Sequence, residues 1–352
     1  MVSSTDFLSG VIEGFYGRSW SLDTRLAYAD YLSESGLNTY IYCPKDDLYL
    51  RGRWAEDWPA LQWEQLQQLS GAYRMRGMHW GVGLSPVELY REYGAIQREQ
   101  LKQKVGRIGE LDATLLAILF DDMPGDMDGL AVRQAEIVSD VCDWAPGMRV
   151  LVCPTYYSFD PVLEQHFGRM PHDYWPQLGR EVPGACDIFW TGDSVCSAKI
   201  DVCDVEAITQ LLGRPVILWD NYPVNDGAAR SNFLYTSKLA GRPESLRPLL
   251  SGHLCNPMNQ GILSLPALSG LAELYGDGGL DDAALSRILG PRTWERLSQD
   301  RRDFEERGLS GLGRRRTSEL ASVYGGLSGN AALEISQWLR GEYAFDPACL
   351  TL

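Results

Sequence analysis

Histidine is scarce, four in 352 residues, and none of the eight cysteines stands in a CxxC pair or at metal-ligand spacing from a histidine. That pattern disfavours zinc and iron centres, which are built on such clusters. Positive charge is scarce too: 32 Lys and Arg face 47 Asp and Glu, giving a net charge of −15 and a pI near 4.7. The balance argues against nucleic acid or an anionic membrane as the main partner. The only dense basic run, Arg314–Arg316, reads as a solvated helix face or terminus. No apolar stretch is long enough to cross a bilayer. The opening MVSSTDFLSG has neither the basic nor the apolar segment of a signal peptide. Cys43, Cys153 and Cys255 fall in expected strands and Cys186 directly precedes one, where a free thiol behaves as a small buried hydrophobe. A reduced, cytoplasmic setting is therefore expected, with export by a segment outside this sequence left open.

Two motifs are missing as well. No Gly-x-Gly-x-x-Gly follows the first expected strand, which disfavours a doubly wound nucleotide-binding sheet. No Gly-x-Ser-x-Gly elbow and no Ser/His/Asp set is found. Apolar and aromatic residues, by contrast, are plentiful at 45% and 11% of the chain. Eleven Trp and seventeen Tyr suit a large core, and they equally suit stacking on the C–H faces of sugars.

Strand-like runs alternate with helical segments along most of the chain. The runs are Leu8–Tyr16, Asn38–Cys43, Trp80–Leu84, Leu115–Met123, Arg149–Pro154, Asp187–Thr191, Pro215–Trp219 and Leu249–Cys255. Between them, helices are expected at Leu22–Ser35 (with Ser21 as N-cap and Gly36 past its end), Gln62–Met75, Gln97–Gly109, Leu130–Asp143, Val205–Leu212, Ser231–Leu239 and Leu263–Tyr275. Eight strands, with a longer excursion carrying His166, His172 and Trp175 in place of a plain helix before the sixth, make eight units over residues 1–275 and predict an α/β fold of the TIM (β/α)8 barrel type. Gly276–Gly279 breaks the rhythm, and residues 276–352 read as a C-terminal helical region with no chemistry of its own. Its helices are expected at Asp281–Leu289, Arg292–Arg307, Arg315–Tyr324 and Ala331–Tyr343.

The fourth run, LLAILFDDM, ends in Asp121 and Asp122, where parallel α/β folds gather their chemistry. The bland reading is a solvated turn that caps the next helix. The other strand ends contribute Glu13 to Gly17, Lys45 to Asp47, Tyr156-Tyr157, Thr191 to Asp193, Trp219 to Asn221, and Asn256. Carboxylates, amides, one lysine and aromatics are a sugar-binding set. A retaining glycosidase with its own nucleophile needs two carboxylates about 5 Å apart across the bond. Adjacent residues point in different directions and do not readily form that pair. They fit a substrate-assisted route, in which the sugar's 2-acetamido oxygen is the nucleophile. One ionised acid would hold the acetamide N–H while the other, kept protonated, serves the leaving oxygen. A Mg²⁺ site on Asp121, Asp122 and Asp220 is the competing reading, which Lys45 and the Asn residues fit less well.

Seven segments resemble the signatures of glycoside hydrolase family 84, the O-GlcNAcase or hyaluronidase-like β-N-acetylglucosaminidase family. They are GVIEGFYGRSW (Gly10–Trp20), YCPKDD (Tyr42–Asp47), LFDDM (Leu119–Met123), CPTYY (Cys153–Tyr157), WTGDSVCS (Trp190–Ser197), LWDNYPVND (Leu218–Asp226) and CNPMNQ (Cys255–Gln260). They occur in the family's order and cover residues 10 to about 270. The resemblance implies a (β/α)8 barrel that removes β-linked N-acetylglucosamine (GlcNAc) with retention, through an oxazoline and without a cofactor or metal. It implies that Asp121 orients and polarises the acetamide and that Asp122 is the general acid and then base. Tyr157 and Asn221 would hold the acetamido group, and Trp219 would wall its pocket. Gly14, through its carbonyl, and Lys45 would bind sugar hydroxyls with Phe15 beside them, while Asp226 and Asn256 would fix the O4/O6 side. Asp46 and Asp47 would support or cap a loop, and the four histidines would be structural.

The chain is shorter than many members of that family, and its Pro257-Met-Asn-Gln form resembles bacterial ones. The expected partner is a GlcNAc-bearing protein or a smaller glycan. A catalytically silent GlcNAc-binding barrel is the alternative from another class. Oligomeric state is not legible in the sequence.

Overall fold

The computed structural model describes residues 7–343 and 345–351. Its eight strands are β1 (Leu8–Glu13), β2 (Thr39–Tyr42), β3 (His79–Leu84), β4 (Leu115–Leu119), β5 (Arg149–Cys153), β6 (Asp187–Trp190), β7 (Val216–Asp220) and β8 (Leu250–Cys255). All pair in parallel and close in chain order, with β8 returning to β1. Closure accounts for the composition of the strands. Each is covered on both faces, so β1, β4 and β7 are buried along their whole length, and β4 reads as an unbroken apolar run. The TIM (β/α)8 barrel expected from the sequence is the fold found.

Around the barrel lie α1 (Leu22–Ser35), α2 (Ala60–Arg74), α3 (Ala95–Gly109), α4 (Leu130–Trp144), two short helices α5 (Val162–Phe167) and α6 (Tyr174–Glu181), then α7 (Val202–Leu212) and α8 (Leu265–Leu274). The ends of α1 follow their local chemistry. The Ser21 hydroxyl accepts the Thr24 N–H at 3.1 Å, and Gly36 closes the helix at φ 82°. Among the described residues no helix is long and apolar enough to cross a membrane.

One expected helix is absent. Ser231–Leu239 forms only a short 3₁₀ turn, at Arg230–Asn232, and then runs irregularly. Its amides are claimed from a distance: Thr236 and Ser237 donate to the Glu305 carboxylate at 2.7 and 2.6 Å, and Leu234 to the Phe304 carbonyl at 3.3 Å. A charged acceptor serving two adjacent N–H groups outcompetes helical carbonyls. The captor lies in a π turn, Asp303–Arg307, within the C-terminal region. That region comprises α9 (Asp282–Leu289), α10 (Pro291–Arg302), α11 (Gly308–Gly325, bent at Gly313) and α12 (Asn330–Leu339).

These helices pack on the loops that follow β7, β8 and β1. Glu334 of α12 accepts the N–H groups of Ile262 and Leu263 at 3.2 and 3.1 Å. The Trp338 indole donates to the Ser231 carbonyl at 3.1 Å, and Arg18 donates to the Gln337 side chain at 3.1 Å. The end of α12 is thereby held beside the C-terminal mouth of the barrel.

Candidate active site

The apolar run of β4 ends at Leu119, and Phe120 carries the chain to the acid pair. Asp122 sits at φ 56°, a left-handed conformation that costs a non-glycine residue about 1–2 kcal/mol. Aspartate tolerates it better than most. The turn gives the neighbouring carboxylates different partners. Asp121 forms a short ion pair with the Lys45 ammonium, whereas Asp122 accepts the Tyr16 hydroxyl at 2.7 Å and the Tyr157 hydroxyl at 3.1 Å.

Electrostatics sharpens the inequality. Burial pushes the Asp122 carboxyl above its ordinary range; the Lys45 ammonium opposes that shift and the Asp121 charge adds to it. A carboxyl shifted in that direction keeps its proton to higher pH, which is the direction a general acid needs. Burial works against the Lys45 charge, but the Asp121 carboxylate outweighs it and keeps the ammonium charged. Asp121 retains one free valence: its Oδ1 is buried and has no hydrogen-bond partner among the described residues. A buried lone acceptor is costly unless a donor arrives, and an amide N–H would satisfy it.

Lys45 is delivered by the loop after β2, and Asp47 pins that loop. The Asp47 carboxylate accepts from the Tyr49 N–H (2.9 Å), Tyr42 hydroxyl (3.0 Å), Trp58 indole (3.1 Å) and Gln62 amide (2.7 Å). Asp46 faces outward and accepts the Ser19 hydroxyl at 2.5 Å. Both therefore serve the loop, as the sequence suggested. Tyr16 lies between the cations and Asp122, with Lys45 and Arg51 at 5.4 and 5.6 Å from its ring centroid.

The opposite wall comes from β7, β8 and the end of β1. The Trp219 indole donates to Asn221 Oδ1 at 3.1 Å, the same oxygen that accepts Asn256 Nδ2 at 3.0 Å. Asn256 Oδ1 in turn accepts the Gly14 N–H at 3.2 Å, and Asn221 Nδ2 donates to the Val195 carbonyl at 2.8 Å. The two amides thus lock each other and the indole. Gly14 is required there, because a Cβ on it would lie 2.3 Å from the Trp219 ring. Asp226 accepts the Tyr16 N–H at 2.7 Å, and burial pushes its carboxyl up to about 6.

Of the residues singled out in the sequence, Gly14, Lys45, Asp121, Asp122, Tyr157, Trp219, Asn221, Asp226 and Asn256 line one pocket. Phe15 does not. It turns into the core, 2% exposed, and packs on Trp20 with ring centroids 5.5 Å apart. Tyr16, its neighbour, holds the place instead; the motif contained it, but a residue that binds an acid's hydrogen-bonding edge has no spacing of its own to announce it. Glu13 is absent from the pocket too: buried, it pairs with Arg25 at 2.5 Å and also accepts from the Tyr40 hydroxyl. Asp220 is engaged by Arg242 at two 2.7 Å contacts and by His253 at 3.0 Å, so it does not join the acid pair as a shared metal site would require. Cys349 and Thr351, from the end of the chain, also line the pocket.

Comparison with known proteins gives concordant results. A family model described as beta-N-acetylglucosaminidase matches residues 9–283. The chain is 30% identical over 278 residues to the mouse protein O-GlcNAcase, and 30% identical over 281 residues to the rat protein. Each alignment covers 76% of this chain and 30% of the relative, so the chain spans about a third of those proteins' length. A solved mutant of the Thermobaculum terrenum O-GlcNAc hydrolase superposes with a TM-score of 0.78 at 26% identity, covering 97% of this chain and 82% of that one. With a barrel matched over most of its length and the family's polar strand ends gathered in one mouth, the chain belongs to the beta-N-acetylglucosaminidase family.

Proposed function

We propose that this protein is a retaining β-N-acetylglucosaminidase that releases GlcNAc from Ser or Thr of glycosylated proteins by substrate-assisted catalysis. The observation that carries the reading is the inequality of the acid pair. Asp121 is charge-paired and keeps one buried acceptor free, while Asp122 is pushed toward the protonated form. In the first step Asp121 accepts the acetamide N–H and raises electron density on the acetamide oxygen. That oxygen attacks C1 as the C1–O bond to the aglycone breaks, and Asp122 passes its proton to the departing oxygen. The product is an oxazolinium ring, its N–H still held by the Asp121 carboxylate, plus the free hydroxyl of the aglycone. In the second step Asp122, now a carboxylate, takes a proton from water as the water oxygen adds to C1 and the ring opens. The β configuration is restored.

Tyr157 and Asn221 would hold the acetamido group against Trp219, and the Gly14 carbonyl, Lys45, Asp226 and Asn256 would bind the ring hydroxyls. Protein substrates are favoured over free glycans by the names of the relatives, protein O-GlcNAcase and O-GlcNAc hydrolase. Cysteines that are mostly buried and free fit a reducing, cytoplasmic setting. The test is turnover of an O-GlcNAc protein and a chitobiose-type glycan, beside a chromogenic N-acetyl-β-glucosaminide. Release from all but the glycan is expected. Binding of GlcNAc without any turnover would identify a silent binding barrel and overturn the proposal.

A further inference from the structure

The pocket that holds the acid pair is nearly full. Its free volume is about 40 Å³, against 380 to 480 Å³ for other clefts of the same molecule. Forty cubic ångströms holds about three waters, whereas small-molecule sites usually offer about 300 Å³ or more. The missing space is taken by the chain itself. Beyond α12, Asp346-Pro347-Ala348-Cys349 makes a tight turn: the Cys349 N–H donates to the Asp346 carbonyl at 2.9 Å, and the Ala348 N–H to the Asp346 carboxylate at 2.9 Å. Aspartate first and proline second are the residues that favour such a turn.

The turn aims Cys349 into the mouth, where it is 7% exposed and its sulfur lies 3.8 Å from Asp226 Oδ1. Thr351 follows and lines the same pocket as Tyr157, the residue whose hydroxyl also contacts Asp122. Its neighbours Phe345 and Leu350 stay about half exposed, at 43% and 49%. Only the sugar-facing side of the segment is inserted.

We infer that residues Phe345–Thr351 are an intramolecular occupant of the sugar pocket, which must leave before a GlcNAc unit can enter. This inference rests on the proposed function for the identity of the displaced ligand. Occupancy lowers apparent affinity by the fraction of molecules in which the segment is out, and it leaves the chemical step unchanged.

Two variants test it: a chain ending at Tyr343, and Cys349→Asp in the full chain, which sets a like charge beside Asp226 and Asp122. With an aryl N-acetyl-β-glucosaminide, both are expected to lower KM about tenfold with kcat unchanged. Both should tighten binding of a thiazoline analogue of the sugar by the same factor. Unchanged KM and inhibitor affinity in two folded, active variants would overturn the inference while leaving the proposed function standing.

Peptide-resolved thiol labelling supplies a readout independent of turnover. In the ligand-free protein Cys349 should react far more slowly than the exposed Cys203, and saturating thiazoline should accelerate it as the segment is expelled. Labelling of Cys349 as fast as Cys203 without ligand, or protection on adding it, would refute the occupancy. Absence of both turnover and thiazoline binding in every form would fail the proposed function instead, and labelling of the free protein would still decide the segment's place.

Discussion

At the scale of single residues the molecule gives one pair of like acids two different surroundings. Asp121 is tied to Lys45, whereas Asp122 is turned by a left-handed backbone toward two tyrosines. Asp121→Asn should therefore lower kcat/KM at least about 10²-fold whatever the leaving group, since the lost charge acts on the nucleophile. It should also weaken a thiazoline inhibitor, and unchanged inhibitor affinity would contradict the role. Asp226 makes a prediction in a different currency. Its folded-state carboxyl, pushed up to about 6 by burial, binds a proton that the unfolded chain releases near 4. Stability from this group is thus present at acid pH and lost as pH rises through about 6. Asp226→Asn should raise stability at pH 7.5 by about 1–3 kcal/mol, with the gain vanishing near pH 4.5, while substrate binding weakens. Denaturant midpoints at the two pH values read this directly. Gly14→Ala should collide with Trp219 and cut kcat/KM at least about tenfold by disordering the indole–Asn221–Asn256 wall.

At the scale of elements, the strands were legible because a barrel strand is covered on both faces and is mostly apolar. Leu115–Leu119 and the Val216, Ile217, Leu218 and Trp219 run of β7 announce themselves that way. Their polar termini were legible for the complementary reason: no apolar run tolerates Asp121 or Asn221 unless it has come to an end. Ser231–Leu239 was not legible, since its fate depends on Glu305, about seventy residues onward, and local propensity carries no trace of that acceptor. Phe15 was misread for a related reason, because the first residues past β1 turn alternately to core and pocket and the order depends on Trp20.

The same long-range logic yields a prediction about α12. Burial pushes Glu334 up to about 8, while the Ile262 and Leu263 amides depend on its oxygens. Glu334→Ala leaves both donors unpaired and should cost about 2 kcal/mol or more, with faster hydrogen exchange confined to α12 and the loop after β8. Glu334→Gln keeps an acceptor and should be milder, with its stability relative to the parent rising as pH rises from about 4.5 to about 8 and level above that.

At the scale of the whole molecule, the barrel supplies strand ends from β1, β2, β4, β5, β6, β7 and β8 to one mouth, and the C-terminal helices brace the loops that frame it. On the proposed mechanism the acids need no opposing carboxylate, because the protein would position an acetamide and a proton while the sugar would provide the nucleophile. The central claim is the unequal service of the two acids, and a leaving-group series on Asp122→Asn addresses it most directly. Aryl N-acetyl-β-glucosaminides with poor leaving groups should lose about 10²–10³-fold in kcat/KM, because their oxygen must be protonated as it departs. Those with good leaving groups should lose less than about tenfold. Equal losses across the series would contradict the assignment of Asp122 as the general acid, and with it the account of how this site works.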